Sequence, residues 1–187
     1  MSQEINEQGR IWYVAFGSNT VPEMLGRYVP VEDIEHRAVT IPHELYFAGT
    51  AWDASPAFVE HVRRDDVETP GRAYLLDASH LPDLLGGENG AHLDDWEVDV
   101  WAMRVGDVVE YPVPLDEEEV VGKYNALLRL DDIEAIPAVT VTTTHVLTRG
   151  GPSDRYLRVI RAGLSPDHDV ALLEQHLQNA IERCEAE

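Results

Sequence analysis

Cysteine and lysine are nearly missing from this chain of 187 residues: each occurs once, as Cys184 and Lys123. A single cysteine excludes an internal disulfide and any multi-cysteine zinc site. Basic residues number 14 against 35 acidic ones, a formal net charge of −21, which opposes non-specific attraction to nucleic acid or to an anionic membrane surface. No apolar run reaches the length needed to cross a bilayer. The first ten residues have neither a basic start nor an apolar core, so the sequence predicts a flexible tail over residues 1–10, a single domain over residues 11–187, and a cytoplasmic location.

Several chemical signatures are also missing. There is no Gly-x-x-x-x-Gly-Lys-Ser/Thr loop and no Gly-x-Gly-x-x-Gly after a strand, which argues against nucleotide chemistry of those types. Ser18 is followed by Asn19 and Thr20, so the Gly-x-Ser-x-Gly elbow of a serine hydrolase is absent. The eight histidines never form His-Glu-x-x-His, and His168-Asp169 suits surface capping. No metal and no cofactor is expected. The run Asp116 to Glu119 reads as a solvated acidic face.

What is present centres on Ile11 to Tyr28. Ile11 to Phe16 is apolar, aromatic and β-branched, and it runs into Gly17-Ser18-Asn19 and then Pro22-Glu23-Met24-Leu25, which begins like a helix. Glycine permits close backbone approach, and serine and asparagine bring polar groups to a turn. Such a loop suits a carboxylate or an oxyanion, and equally an ordinary strand-to-helix connection.

Further along, residues 29–39 read as connection and Glu44 to Ala48 as a strand. A weak strand is expected over Phe58 to Val62, a turn at Glu68 to Gly71, and a core strand over Arg72 to Leu76. Leu81, Leu84 and Leu85 share one helical face, with Ser79 as N-cap and a stop at Gly86-Gly87. Glu88 then follows, a lone carboxylate between glycines, which on local grounds suits a solvated loop. Trp96 to Val105 alternates like a half-exposed strand, Val108 to Val113 reads as a continuation of the sheet, and residues 116–130 fit helix or strand. Pro137 to Thr144 is strongly β-forming. A helix is expected after Ser153, with Tyr156, Leu157 and Ile160 on one face and Gly163 past its end. A last helix from Ser165-Pro166 carries Leu173, Leu177, Ala180, Ile181 and Cys184 as a stripe for core or partner contact. Strands followed by C-terminal helices predict an α+β fold.

Three ordered segments resemble the γ-glutamylcyclotransferase-like proteins. Tyr13-Val14-Ala15-Phe16-Gly17-Ser18-Asn19 is similar to that family's Tyr-Phe-Ala-Tyr-Gly-Ser-Asn signature, with Phe16 in place of the second tyrosine. Gly71 to Leu76, then Leu81, Leu84 and Glu88, looks like its strand, short helix and catalytic glutamate, with Asn89 where glycine is common. Pro152-Ser153-Asp154-Arg155-Tyr156, ending in Ala162-Gly163, resembles its Pro-Ser-x-x-Tyr helix. The resemblance spans residues 11–165 and implies a small mixed β-barrel or sheet with surrounding helices. It implies Glu88 as general acid and base, with Tyr13, Val14, Ala15, Phe16, Gly17, Ser18, Asn19 and Tyr156 contacting a γ-glutamyl substrate that is cyclised to 5-oxoproline. A binding or regulatory module, or an amide hydrolase or acyltransferase in the same pocket, is the alternative. The expected partner is that small molecule alone, in a monomer or homodimer.

Overall fold

The computed structural model describes residues 9–50, 54–113 and 124–185. Residues 1–8 of the expected tail and the acidic run 116–119 lie outside them. The first strand, β1 (Arg10–Ala15), already begins inside the expected tail segment. Strands β2 (His36–Ile41), β3 (His43–Phe47), β4 (Ala57–Arg63) and β5 (Thr69–Asp77) follow, with a short helix α1 (Pro22–Leu25) before them. After β5 come α2 (Leu81–Glu88), β6 (Val108–Glu110), β7 (Ala126–Ile133), β8 (Ile136–Thr142), α3 (Asp154–Leu164) and α4 (Val170–Glu185).

The fold is α+β. Six strands form one mixed sheet in the order β2-β5-β1-β8-β7-β6, while β3 and β4 pair antiparallel by themselves. β1 is antiparallel to β5 and parallel to β8, and from Ile11 onward all its residues are buried. A strand covered on both faces reads as continuous apolar sequence, which is why Ile11 to Ala15 shows no alternation. The barrel in the resemblance is corrected here: among the described strands the sheet stays open, with β2 bonded only to β5 and β6 only to β7.

Other expectations change for local reasons. Residues 36–39, expected as connection, belong to β2, an edge strand whose positions His36, Ala38 and Thr40 are exposed. Thr69, Pro70 and Gly71, expected as a turn, open β5; Pro70 pairs with the edge strand β2, and Gly71 lets the chain approach the Ala15 carbonyl, 3.0 Å from where a Cβ would stand. Trp96 to Val105 is not a strand. Asp99 Oδ1 accepts from the Trp101 and Ala102 amides at 3.1 and 3.2 Å, and Asp107 Oδ2 from Arg104 N at 2.8 Å, so aspartate-capped turns override the alternation.

Helix α2 runs through Gly86 and Gly87, because a side chain at Gly86 would stand 2.6 Å from the Ala91 carbonyl and one at Gly87 would enter the Tyr28 ring. The chain turns instead at Gly90, with φ of 64°. Asp77, not Ser79, caps the preceding turn. Gly163 lies inside α3. α4 starts only after Asp169, which accepts from Leu172 N at 3.0 Å, and Leu173, Leu177, Ala180 and Cys184 of its stripe are buried. Cys184 Sγ meets the Phe47 backbone at 3.4 Å, seating α4 against β3. Among the described residues no helix is long and apolar enough to cross a membrane.

Candidate active site

β1 leaves the sheet at Ala15 and delivers Phe16 and Gly17 into a 3-10 turn, Ser18–Thr20. Thr20 Oγ1 donates back to the Gly17 carbonyl at 2.7 Å and closes the turn on itself. Asn19 stands in the middle, 4% exposed. Its side-chain amide donates to Glu88 Oε1 and also reaches the Tyr13 hydroxyl at 3.3 Å. Glu88 is the last residue of α2. Two segments separated by 69 residues in sequence therefore meet through one hydrogen bond.

Burial raises the Glu88 carboxyl to about 7, and the Asn19 hydrogen bond opposes that rise in part. Among the described residues no arginine, lysine or histidine contributes to its ionisation. Asn19 donates to this carboxylate through Oε1. The surrounding groups are tyrosines: the Glu88 charge bears on Tyr13, Tyr28, Tyr111, Tyr124 and Tyr156, each pushed upward first by its own burial. They are neutral hydroxyl groups at physiological pH. A carboxyl that titrates near neutrality, with tyrosine hydroxyl groups near it and no cation acting on it among the described residues, has the properties of a general acid and base.

Tyr156 enters from the first turn of α3. Ser153 caps that helix, its Oγ accepting from Tyr156 N at 3.1 Å. The Tyr156 hydroxyl accepts from Ala57 N at 3.2 Å and presses on Gly17, where a Cβ would stand only 2.6 Å away. Tyr124, from a segment of ambiguous pattern, donates to the Ala57 carbonyl at 2.8 Å. Removing the cap with Ser153→Ala is expected to cost about 1 kcal/mol, measurable by denaturant unfolding.

Tyr13, Ala15, Phe16, Gly17, Ser18, Asn19, Glu88, Tyr124 and Val141 line a small open pocket of about 10 Å³, roughly the room of one water. The structure thus gathers Tyr13, Ala15 to Asn19 and Glu88, with Tyr156 behind Gly17. Val14 is turned to the other face of β1, where it lines a groove with Val39 and Leu130. Sequence reasoning missed Tyr124, Tyr111 and Tyr28, whose approach depends wholly on tertiary packing. A wider cleft of about 490 Å³ beside Leu81 and Trp96 includes none of the site residues predicted from sequence.

No protein-family sequence model matches the chain, and no curated protein matches it by sequence. Solved structures do match. One titled γ-glutamyl cyclotransferase superposes with a TM-score of 0.58 at 17% identity, covering 92% of this chain and 88% of the other. An uncharacterised protein from Homo sapiens, loc79017, superposes with a TM-score of 0.58 at 16% identity over 92% of this chain and 88% of its own. YkqA from Bacillus subtilis gives 0.57 at 17% identity, over 91% of this chain and 54% of its own. The fold is that of the γ-glutamylcyclotransferase-like proteins.

Proposed function

We propose that the chain cyclises a γ-glutamyl amine or peptide, releasing 5-oxoproline and the free amine. The observation that carries this reading is Glu88: a carboxyl raised to about 7 by burial and tethered by Asn19 to the Gly-Ser-Asn turn. The structural likeness to a γ-glutamyl cyclotransferase supports the same chemistry.

In the reaction the substrate's α-nitrogen attacks its own γ-carbonyl carbon. A new C–N bond forms, the original amide C–N bond breaks, and no water is consumed. Glu88 takes the proton released from the α-ammonium group and returns it to the departing amine. One carboxylate serves both transfers, and a value near 7 suits each direction. The nucleophile is already tethered to its target, so holding the γ-glutamyl chain curled against the Gly17-Ser18 backbone supplies several kcal/mol of the acceleration, about 7 where the reacting atoms are well aligned. Tyr13, Tyr124 and Tyr156 offer hydroxyl groups near the developing oxyanion.

Purified protein incubated with a wide panel of γ-glutamyl dipeptides and amides is expected to release 5-oxoproline and amine in equal amounts. Free glutamate in place of 5-oxoproline identifies a hydrolase, and no product from any member of the panel identifies a binding module.

A further inference from the structure

Arg72 and Arg129 are the buried arginines among the described residues, and Arg72, within β5, is 6% exposed. Its Nη1 donates to the Thr20 carbonyl at 3.0 Å, and its Nη2 pairs with Asp167 in the turn between α3 and α4. Nε has no partner. The Tyr74 hydroxyl donates to the same Thr20 carbonyl, also at 3.0 Å. Burying a guanidinium with an incompletely buried partner is a poor way to gain stability, since the desolvation cost rivals the attraction. An apolar side chain would serve the core better.

The bonds of Arg72 end on the turn that carries Asn19. Thr20 is fully buried and its N–H and hydroxyl both return to the Gly17 carbonyl, at 3.2 and 2.7 Å. Gly163 of α3 faces it without a side chain, because a Cβ there would overlap the Thr20 hydroxyl. His168 Nε2 lies 2.9 Å from the Gly71 carbonyl and docks the α3–α4 turn beside Arg72. Residues 17–20 are therefore clamped between β5, α3 and the α3–α4 turn, and from them the Asn19 side chain reaches Glu88 and the Tyr13 hydroxyl.

We propose that Arg72, acting through the Thr20 carbonyl, is a positioning residue that sets Asn19 against Glu88; the proposal rests on Glu88 being the proton carrier. The test pairs Arg72→Met, which keeps the stem and removes the donors, with Leu177→Ala, which destabilises α4 away from the turn. Two readouts are needed: the rate of 5-oxoproline release well below the unfolding temperature, and the Glu88 titration followed by carboxyl-carbon NMR on glutamate-labelled protein.

Arg72→Met is expected to lower kcat about tenfold and to move the Glu88 titration upward by about half a unit or more, because the Asn19 bond favours the ionised form. Leu177→Ala is expected to leave that titration unchanged. An unchanged titration and kcat in Arg72→Met overturns the proposal, and so does an equal shift in Leu177→Ala. If Arg72→Met does not fold, Arg72→Lys decides: lysine lacks the fork that reaches Thr20 and Asp167 together, so a smaller upward shift supports the proposal and none overturns it. A wild-type protein that releases no 5-oxoproline defeats the cyclotransferase reading, while the NMR titration still reports on Arg72.

Discussion

Glu88→Gln is expected to abolish turnover and, at pH 8, to make the protein more stable. Turnover falls about 10³-fold, within the range for losing a general acid and base. The glutamine keeps the oxygen that accepts from Asn19, so the turn and the ligand contacts stay in place. The gain in stability follows from the direction of the Glu88 shift, upward from 4.5 to about 7. Between those values the folded protein holds a proton that the unfolded chain has released, so stability falls as pH rises through the window. Above pH 7 the ionised, half-buried carboxylate costs the fold about 2–3 kcal/mol, after allowance for its partial exposure. Glutamine removes that cost. Thermal unfolding should place Glu88→Gln about 5–10 °C above the wild type at pH 8, with most of the difference gone at pH 5. Equal unfolding temperatures at pH 8 would mean that Glu88 is not buried as an ion.

Gly17→Ala is the second large effect. A Cβ at residue 17 would stand 2.6 Å from the Tyr156 hydroxyl, while the ring carbon and Ala57 Cβ lie at the ordinary distances of 3.8 and 3.9 Å. Only the hydroxyl is in the way. Tyr156 is 1% exposed, stands edge-on to Phe47, and takes the Ala57 N–H, so it has no free space to retreat into. Overpacking of this kind costs about 1–3 kcal/mol, and displacement of the Gly-Ser-Asn turn is expected to cut activity about 100-fold. The double variant Gly17→Ala/Tyr156→Phe deletes the obstructing atom. Its unfolding free energy is expected to recover over Gly17→Ala alone, a favourable coupling in a double-mutant cycle, whereas activity stays low because the tyrosine hydroxyl is lost. Simple additivity of the two substitutions in stability would show that the contact is not the cause.

How much of this was legible in the sequence depended on whether a signal was local. β1 and β8 announced themselves as apolar and β-branched runs because they lie inside the sheet. The edge strand β2 did not, since alternating exposure leaves His36, Ala38 and Thr40 in solvent. Trp96, Val98 and Val100 carried a strand-like alternation, yet Asp99 and Asp107 spent their side chains on turn amides. Gly86 and Gly87 looked like a helix stop but are small because Ala91 and Tyr28 press on them. For the site, the order of three segments pointed to Glu88 and to the Gly17 loop. Asn19 was expected to touch substrate; its bond to Glu88 and the Arg72 clamp beneath it join distant parts of the chain, and nothing in local spacing encodes them.

In the proposed reaction one half-buried carboxylate, Glu88, moves the proton in a water-free cyclisation. The most direct measurement is the pH dependence of kcat/KM for 5-oxoproline release from a γ-glutamyl dipeptide, wild type beside Glu88→Gln. The wild-type rate is expected to fall tenfold per pH unit below about 7, and the Glu88→Gln enzyme to bind the dipeptide and release no measurable 5-oxoproline. A Glu88→Gln enzyme with the wild-type rate and the same pH limb would contradict this role for Glu88.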